Sequence, residues 1–138
     1  MTKPLAYIFD LDGTLAHKGD RSPYDWKNVS KDTPDEPLIN TLKMYHKNGY
    51  TILIVSGRDG SCNEETKAWL SEHSIPYHFL FMREAGDNRK DSIVKKQIFD
   101  ECIKDFFDVV AVYDDRDQVV EMWRSLGLRC YQVAEGNF

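Results

Sequence analysis

The chain has 138 residues, is 41% hydrophobic and carries a formal net charge of −5 at pH 7. That length suits one domain, residues 1–138, with a core of its own. The acidic balance argues against a broad basic nucleic-acid surface but is compatible with a narrow basic pocket, and the absence of a transmembrane-length apolar run or a signal-peptide pattern leads us to expect a cytoplasmic protein with no membrane contact.

The first expected element is a strand at residues 5–10, the apolar run Tyr7-Ile8-Phe9 ending at Asp10. Asp12, Gly13 and Thr14 follow at once. Two carboxylates at the end of a buried strand repel each other and are costly to desolvate, so a cation between them is expected. Residues 16–36 are rich in Asp, Lys, Ser, Pro and Gly and show no period. They are expected to be a loop over the site. A helix at 37–47 follows, with Leu38, Leu42 and Tyr45 on one face and Gly49 just past its end. Further strands are expected at 51–56, 77–81, 109–114 and 129–133, and further helices at 64–73, 91–104 and 118–126. Strand and helix alternate, and the strands are continuously apolar. That pattern specifies an α/β fold: a doubly wound, Rossmann-like parallel sheet of about five strands with helices on both faces.

In such a sheet, ligands bind beyond the carboxyl ends of the strands. The first strand ends in Asp10, Asp12, Gly13 and Thr14, and the second in Ser56, Gly57 and Arg58. The third leads through Met82-Arg83 to Gly-Asp-Asn-Arg-Lys-Asp and the helix carrying Lys95, and the fourth ends in Asp114-Asp115-Arg116. The fold would bring these segments to one rim. Arg89, Lys90 and Lys95 are all candidates for a charge-neutralising cation there. Lys95 is chosen because Asp91 stands four residues before it on the same helix face and can orient it. Cys62, Cys102 and Cys130 form no C-x-x-C pair and are expected to be free thiols. The four histidines show no metal spacing, and only His17, in the loop, is near enough to the motifs to watch. Trp123 is expected in the core.

The order D-x-D-G-T, Ser after a second strand, a downstream Lys, and D-D after a later strand resembles the haloacid dehalogenase phosphatase superfamily. The strings FDLDGTLA, KMYHKNGY, VSGR, GDNRKD, YDDRDQVVEMW and QVAEGNF are similar, in order and spacing, to the phosphatase domain of bacteriophage polynucleotide kinase/phosphatases. No G-x-x-x-x-G-K-[ST] is present, so the kinase half is missing from this chain. The resemblance implies an Mg²⁺-dependent phosphomonoesterase acting on DNA or RNA 3′ ends, with 2′,3′-cyclic phosphate as a further substrate. Asp10 would be the nucleophile and Asp12 the general acid and base. Lys95 and Asp91 would complete the catalytic group. Thr14, Arg21, Ser56, Gly57 and Arg58 would hold phosphate or substrate. Asp10, the backbone carbonyl of Asp12, and Asp114 or Asp115 would hold the metal.

Neither place where relatives insert a cap, after the first motif or between the second and third, has room for one. An open site suits a phosphate on the end of a large molecule. A separate kinase or ligase is a conceivable partner, and the chain is compatible with a monomer or a homodimer. Two other readings stay open: a small-molecule phosphatase or nucleotidase of the same fold, and a non-catalytic interaction module.

Overall fold

The computed structural model describes residues 2–138. Its centre is β1 (Leu5–Phe9), whose unbroken apolar run is buried from Ala6 onward. Parallel strands β4 (Thr51–Asp59) and β6 (Asp108–Asp114) flank it. β5 (Phe79–Arg83) and β7 (Cys130–Gln132) extend the sheet outward, giving the order β5-β4-β1-β6-β7. Successive side chains of a strand point to opposite faces, so the sheet carries two cores. Tyr7, Phe9, Ile52 and Ile54 pack on one side against Ile39 and Leu42 of α1 (Glu36–Lys47) and Trp69 and Leu70 of α2 (Asn63–Glu72). Ala6, Ile8, Leu53 and Val55 pack on the other against Val119, Val120 and Trp123 of α4 (Asp117–Ser125). The expected doubly wound architecture is therefore present, with helices on both faces.

The chain leaves β1 for β4 on one side and reaches β6 on the other. The order thus reverses beside β1, and a crevice opens there at the carboxyl ends of the strands. Among the described residues, no helix is long and apolar enough to cross a membrane. All three cysteines are free thiols.

Several boundaries differ from expectation. β4 continues past Ser56 to Asp59, pairing with Arg83 after a register shift, so the second motif lies within a strand end rather than beyond it. The helix expected over 91–104 is α3 (Asp91–Ile98), followed by a wider π-helical turn at Phe99–Ile103. Residues 16–36 are more structured than a loop. Ala16–His17 (β2) and Thr33–Pro34 (β3) form an antiparallel pair, with a 3₁₀ turn at Trp26–Lys31 between them. Polar composition hid this, because the segment is fastened by few but buried contacts. Val29 is fully buried, and the Trp69 indole Nε1 donates to the Asp32 carbonyl at 2.9 Å.

Candidate active site

The crevice is a pocket of about 1000 Å³ whose lining includes Asp10, Asp12, Gly57, Asp91, Asp114 and Asp115. Asp10 follows β1 directly, and its backbone N–H still donates to the Tyr113 carbonyl, at 2.9 Å. Its carboxylate is held from both sides. Lys95 Nζ donates to Oδ1 at 2.8 Å and the Thr14 hydroxyl to Oδ2 at 3.0 Å. Gly13 makes the tight turn between Asp10 and Thr14. It has φ +80°, and a Cβ there would stand 2.1 Å from Asp115 Oδ2, so only glycine fits.

Lys95 is 1% exposed, a buried ammonium among carboxylates. It also donates to Asp114 Oδ2 at 3.0 Å. Burial alone would lower its pKa, but the charges of Asp10, Asp114 and Asp91 reverse this and hold it well above the usual lysine range. Asp91 does not hydrogen-bond Lys95. Its Oδ2 stands 3.9 Å from Nζ, while Oδ1 accepts from Arg83 Nη2 at 3.2 Å. The expected orienting pair is therefore an electrostatic neighbour only, because β5 places Arg83 closer to Asp91 than the i, i+4 spacing places Lys95.

Asp114 is saturated by donors. Oδ2 takes Lys95 and the Trp123 indole at 3.2 Å, and Oδ1 takes the backbone N–H groups of Asp115 and Arg116. Trp123, expected only as core, thus also anchors the site. Asp115 receives no lysine, arginine or hydroxyl donor among the described residues and lies beside Asp10 and Asp114. Burial raises the pKa of Asp10 well above the ordinary 3.8, and the Asp114 charge adds to the shift. Burial likewise raises that of Asp115. Carboxylate oxygens of Asp10, Asp114 and Asp115 lie within 4.8 Å of one another. Three buried, hard oxygen donors without His or Cys fit Mg²⁺ or a similar divalent ion, whose charge would offset the repulsion.

Asp12 stands outside that cluster and is more open, with its side chain 38% exposed. Arg58 grips its carboxylate through Nε at 3.0 and 3.2 Å and Nη2 at 2.8 Å, and Arg21 Nη2 adds a contact at 3.3 Å. Both arginines, expected at the phosphate, here direct their donors to carboxylates beside the pocket. Arg58 is buried, and its remaining bonds go to Thr66 at 3.1 Å and Asp32 at 2.7 Å. Arg21 Nε and Nη2 go to Asp32 at 2.7 and 2.9 Å. Both guanidiniums are engaged within the protein, where they fix Asp12. Thr14 and Ser56, expected beside the phosphate as well, also have partners within the protein. Thr14 is fully buried on Asp10, and the buried Ser56 hydroxyl accepts from the Arg58 backbone N–H at 3.1 Å. Gly57 lines the pocket and offers its carbonyl to Arg83 Nε at 2.9 Å. His17 bonds Asp35 at 2.9 Å.

Asp32 was missed. It is a buried carboxylate that joins both arginines, and its position in an aperiodic polar stretch gave no signal. Arg83 was noted only as a residue passed on the way to the third motif. Chemically, the rim presents one pinned carboxylate beside an ammonium, a second carboxylate held by two arginines at the pocket, and three clustered acids able to hold a divalent cation. A set of that kind has the groups that phosphoryl transfer through a carboxylate requires.

The family model for the polynucleotide kinase PNKP phosphatase domain matches residues 4–138. A putative bifunctional polynucleotide kinase/RNA ligase of Autographa californica nuclear polyhedrosis virus is 39% identical over 127 residues, which are 89% of this chain and 18% of that protein. A chain in the structure of a Pnkp1/Rnl/Hen1 complex superposes with a TM-score of 0.97 at 41% identity, covering 100% of this chain and 48% of the other. The chain therefore spans under a fifth of the viral relative and about half of the structural one. The class C acid phosphatase of Bacillus anthracis shares the fold, at a TM-score of 0.65 and 20% identity over 86% of this chain and 54% of that one.

Proposed function

Because the chain belongs to the polynucleotide kinase PNKP phosphatase-domain family, we propose that it is a divalent-cation-dependent phosphomonoesterase that removes 3′-phosphates, and 2′,3′-cyclic phosphates, from DNA or RNA ends. The observation that carries the reading is the buried Asp10–Lys95 pair with Asp12 held over the same pocket by arginines. Asp10 attacks phosphorus, with one oxygen oriented by Lys95 and the other by Thr14. The P–O bond to the sugar breaks as Asp12 gives its proton to the leaving 3′ oxygen. Asp12 then takes a proton from a water that attacks the aspartyl-phosphate, which restores Asp10 and releases phosphate. Lys95 offsets charge on Asp10 and the transferring group throughout. Asp10, Asp115 and the Asp12 carbonyl would hold Mg²⁺, with Asp114 serving mainly to fix Lys95. The bound ion would supply charge neutralisation for the phosphoryl oxygens.

The substrate class draws support from the open rim. Between β1 and α1 the chain holds only the β2–β3 pair and a 3₁₀ turn, and between β4 and α3 only a 3₁₀ turn at Gly60–Cys62, α2, β5 and connections. A long polymer end can therefore enter. A free 3′-hydroxyl is what strand sealing needs, which accords with the ligase named in the viral relative and makes a ligase the natural partner. The test is phosphate release from 3′- and 5′-phosphorylated oligonucleotides and from mononucleotides. Release confined to the 3′-phosphorylated oligonucleotide is expected. Preference for mononucleotides would instead identify a small-molecule phosphatase, and absence of release from all three would identify a non-catalytic module.

A further inference from the structure

We infer that the Phe138 ring, seated against Arg116 at the pocket mouth, is a stacking platform for the nucleobase of the terminal nucleotide, an inference that rests on the polynucleotide reading above. Phe138 lines the pocket yet is 66% exposed. An apolar ring left in water at the rim of a charged crevice loses the benefit of burial, unless something covers it. Its position is nevertheless strongly fixed. Arg116 Nε donates to the Phe138 backbone oxygen at 2.8 Å, and the Arg116 guanidinium carbon lies 5.2 Å from the ring centroid. The Phe138 N–H donates to the Gly136 carbonyl at 2.8 Å, and that carbonyl also accepts from the Asp117 N–H at 2.9 Å, at the start of α4. Gly136 is buried so closely that a Cβ would stand 1.8 Å from the Asp115 carbonyl oxygen.

The ring is thus tied, through Arg116 and Asp117, to the segment that carries Asp114 and Asp115. Its place at the pocket rim is set by these hydrogen bonds and by the guanidinium beneath it. One part of the ring packs on a guanidinium, and the exposed remainder offers a π face. Tyr24, 83% exposed, lines the same pocket from the segment between β2 and β3. Aromatic faces beside a phosphate-processing site suit planar heterocycles, and base–aromatic stacking tolerates every base. With Arg21 and Arg58 engaged by Asp12 and Asp32, stacking supplies an end-binding contact that those arginines do not.

The test compares two oligonucleotides that differ only at the 3′-phosphorylated residue, one with a normal base and one with a tetrahydrofuran abasic residue. Phosphate release is measured below saturation for wild type, Phe138→Ala and Phe138→Trp. Phe138→Ala should lose roughly tenfold in kcat/KM on the base-bearing end, the scale of one lost base–aromatic stack, and nothing on the abasic end. Phe138→Trp should retain wild-type discrimination. Equal losses on both ends, or no loss on either, with normal wild-type turnover, would overturn the platform alone. No wild-type release from either oligonucleotide, with mononucleotides still turned over, would overturn the polynucleotide reading and the platform with it.

Discussion

Asp32→Asn tests whether the two arginines are part of the framework rather than the substrate grip. The substitution keeps shape and removes one buried charge. Three hydrogen bonds to that carboxylate, at 2.7, 2.9 and 2.7 Å, come from two guanidiniums. An amide offers one acceptor oxygen, so its NH₂ group must face at least one arginine N–H. Removing one partner of a buried ion pair costs about 3–5 kcal/mol. Asp12 remains as a second anion for both arginines, which favours the lower end, about 3 kcal/mol. For a chain of this length about 3–5 °C accompanies each kcal/mol, so the melting temperature should fall by about 10 °C. The freed guanidiniums should also hold Asp12 less firmly, lowering kcat on a 3′-phosphorylated oligonucleotide with little change in KM. Thermal unfolding by circular dichroism and steady-state phosphate release measure both effects. A fall of less than about 2 °C with unchanged kcat would refute the reasoning.

Three further outcomes are expected. Lys95→Ala should lower kcat by on the order of a thousandfold, as for other preorganised charge stabilisers, while Lys90→Ala, at an exposed position, should have little effect; phosphate release by the two variants decides this. Asp12→Asn should slow release of a 3′-phosphate far more than release from an aryl phosphate, whose leaving group needs no proton, and equal slowing would remove its acid role. The folded pKa values of Asp10 and Asp115 are raised above 3.8 by burial, although Lys95 opposes the shift at both. Their contribution to stability is therefore fully present below that value and is lost as pH rises through the raised values. In chelator the melting temperature should fall as pH rises above the ordinary carboxylate range, and Mg²⁺ should restore more at the higher pH; a pH-independent Mg²⁺ increment would contradict this.

The sheet was legible because its strands are continuous apolar runs closed by turn residues, as in Tyr7-Ile8-Phe9 before Asp10. The convergence of Asp10, Asp12, Lys95, Asp114 and Asp115 followed from topology, since parallel strands put their carboxyl ends on one rim. Partner choice within the rim was less legible. Spacing on a helix suggested Asp91 for Lys95, yet Arg83 arrives from β5, a relation between segments that no local pattern encodes. Residue type marks Arg58 and Arg21 as phosphate ligands, and Asp32, which joins the two, lies in a stretch without periodicity. Such a carboxylate is defined by what is buried around it, which composition does not reveal. The same holds for Trp123, whose apolar surroundings pointed to the core while its indole N–H serves Asp114.

The most direct measurement is transfer of the phosphoryl group to the protein. A 3′-[³²P]phosphate-labelled oligonucleotide is mixed with enzyme and Mg²⁺, the reaction is quenched in acid within its first turnover, and the labelled peptide is identified by mass spectrometry. The account predicts an acid-stable, hydroxylamine-labile label on Asp10 that Asp10→Asn abolishes while remaining folded. Release of phosphate at the normal rate with no label on Asp10, or with full activity in Asp10→Asn, would contradict it.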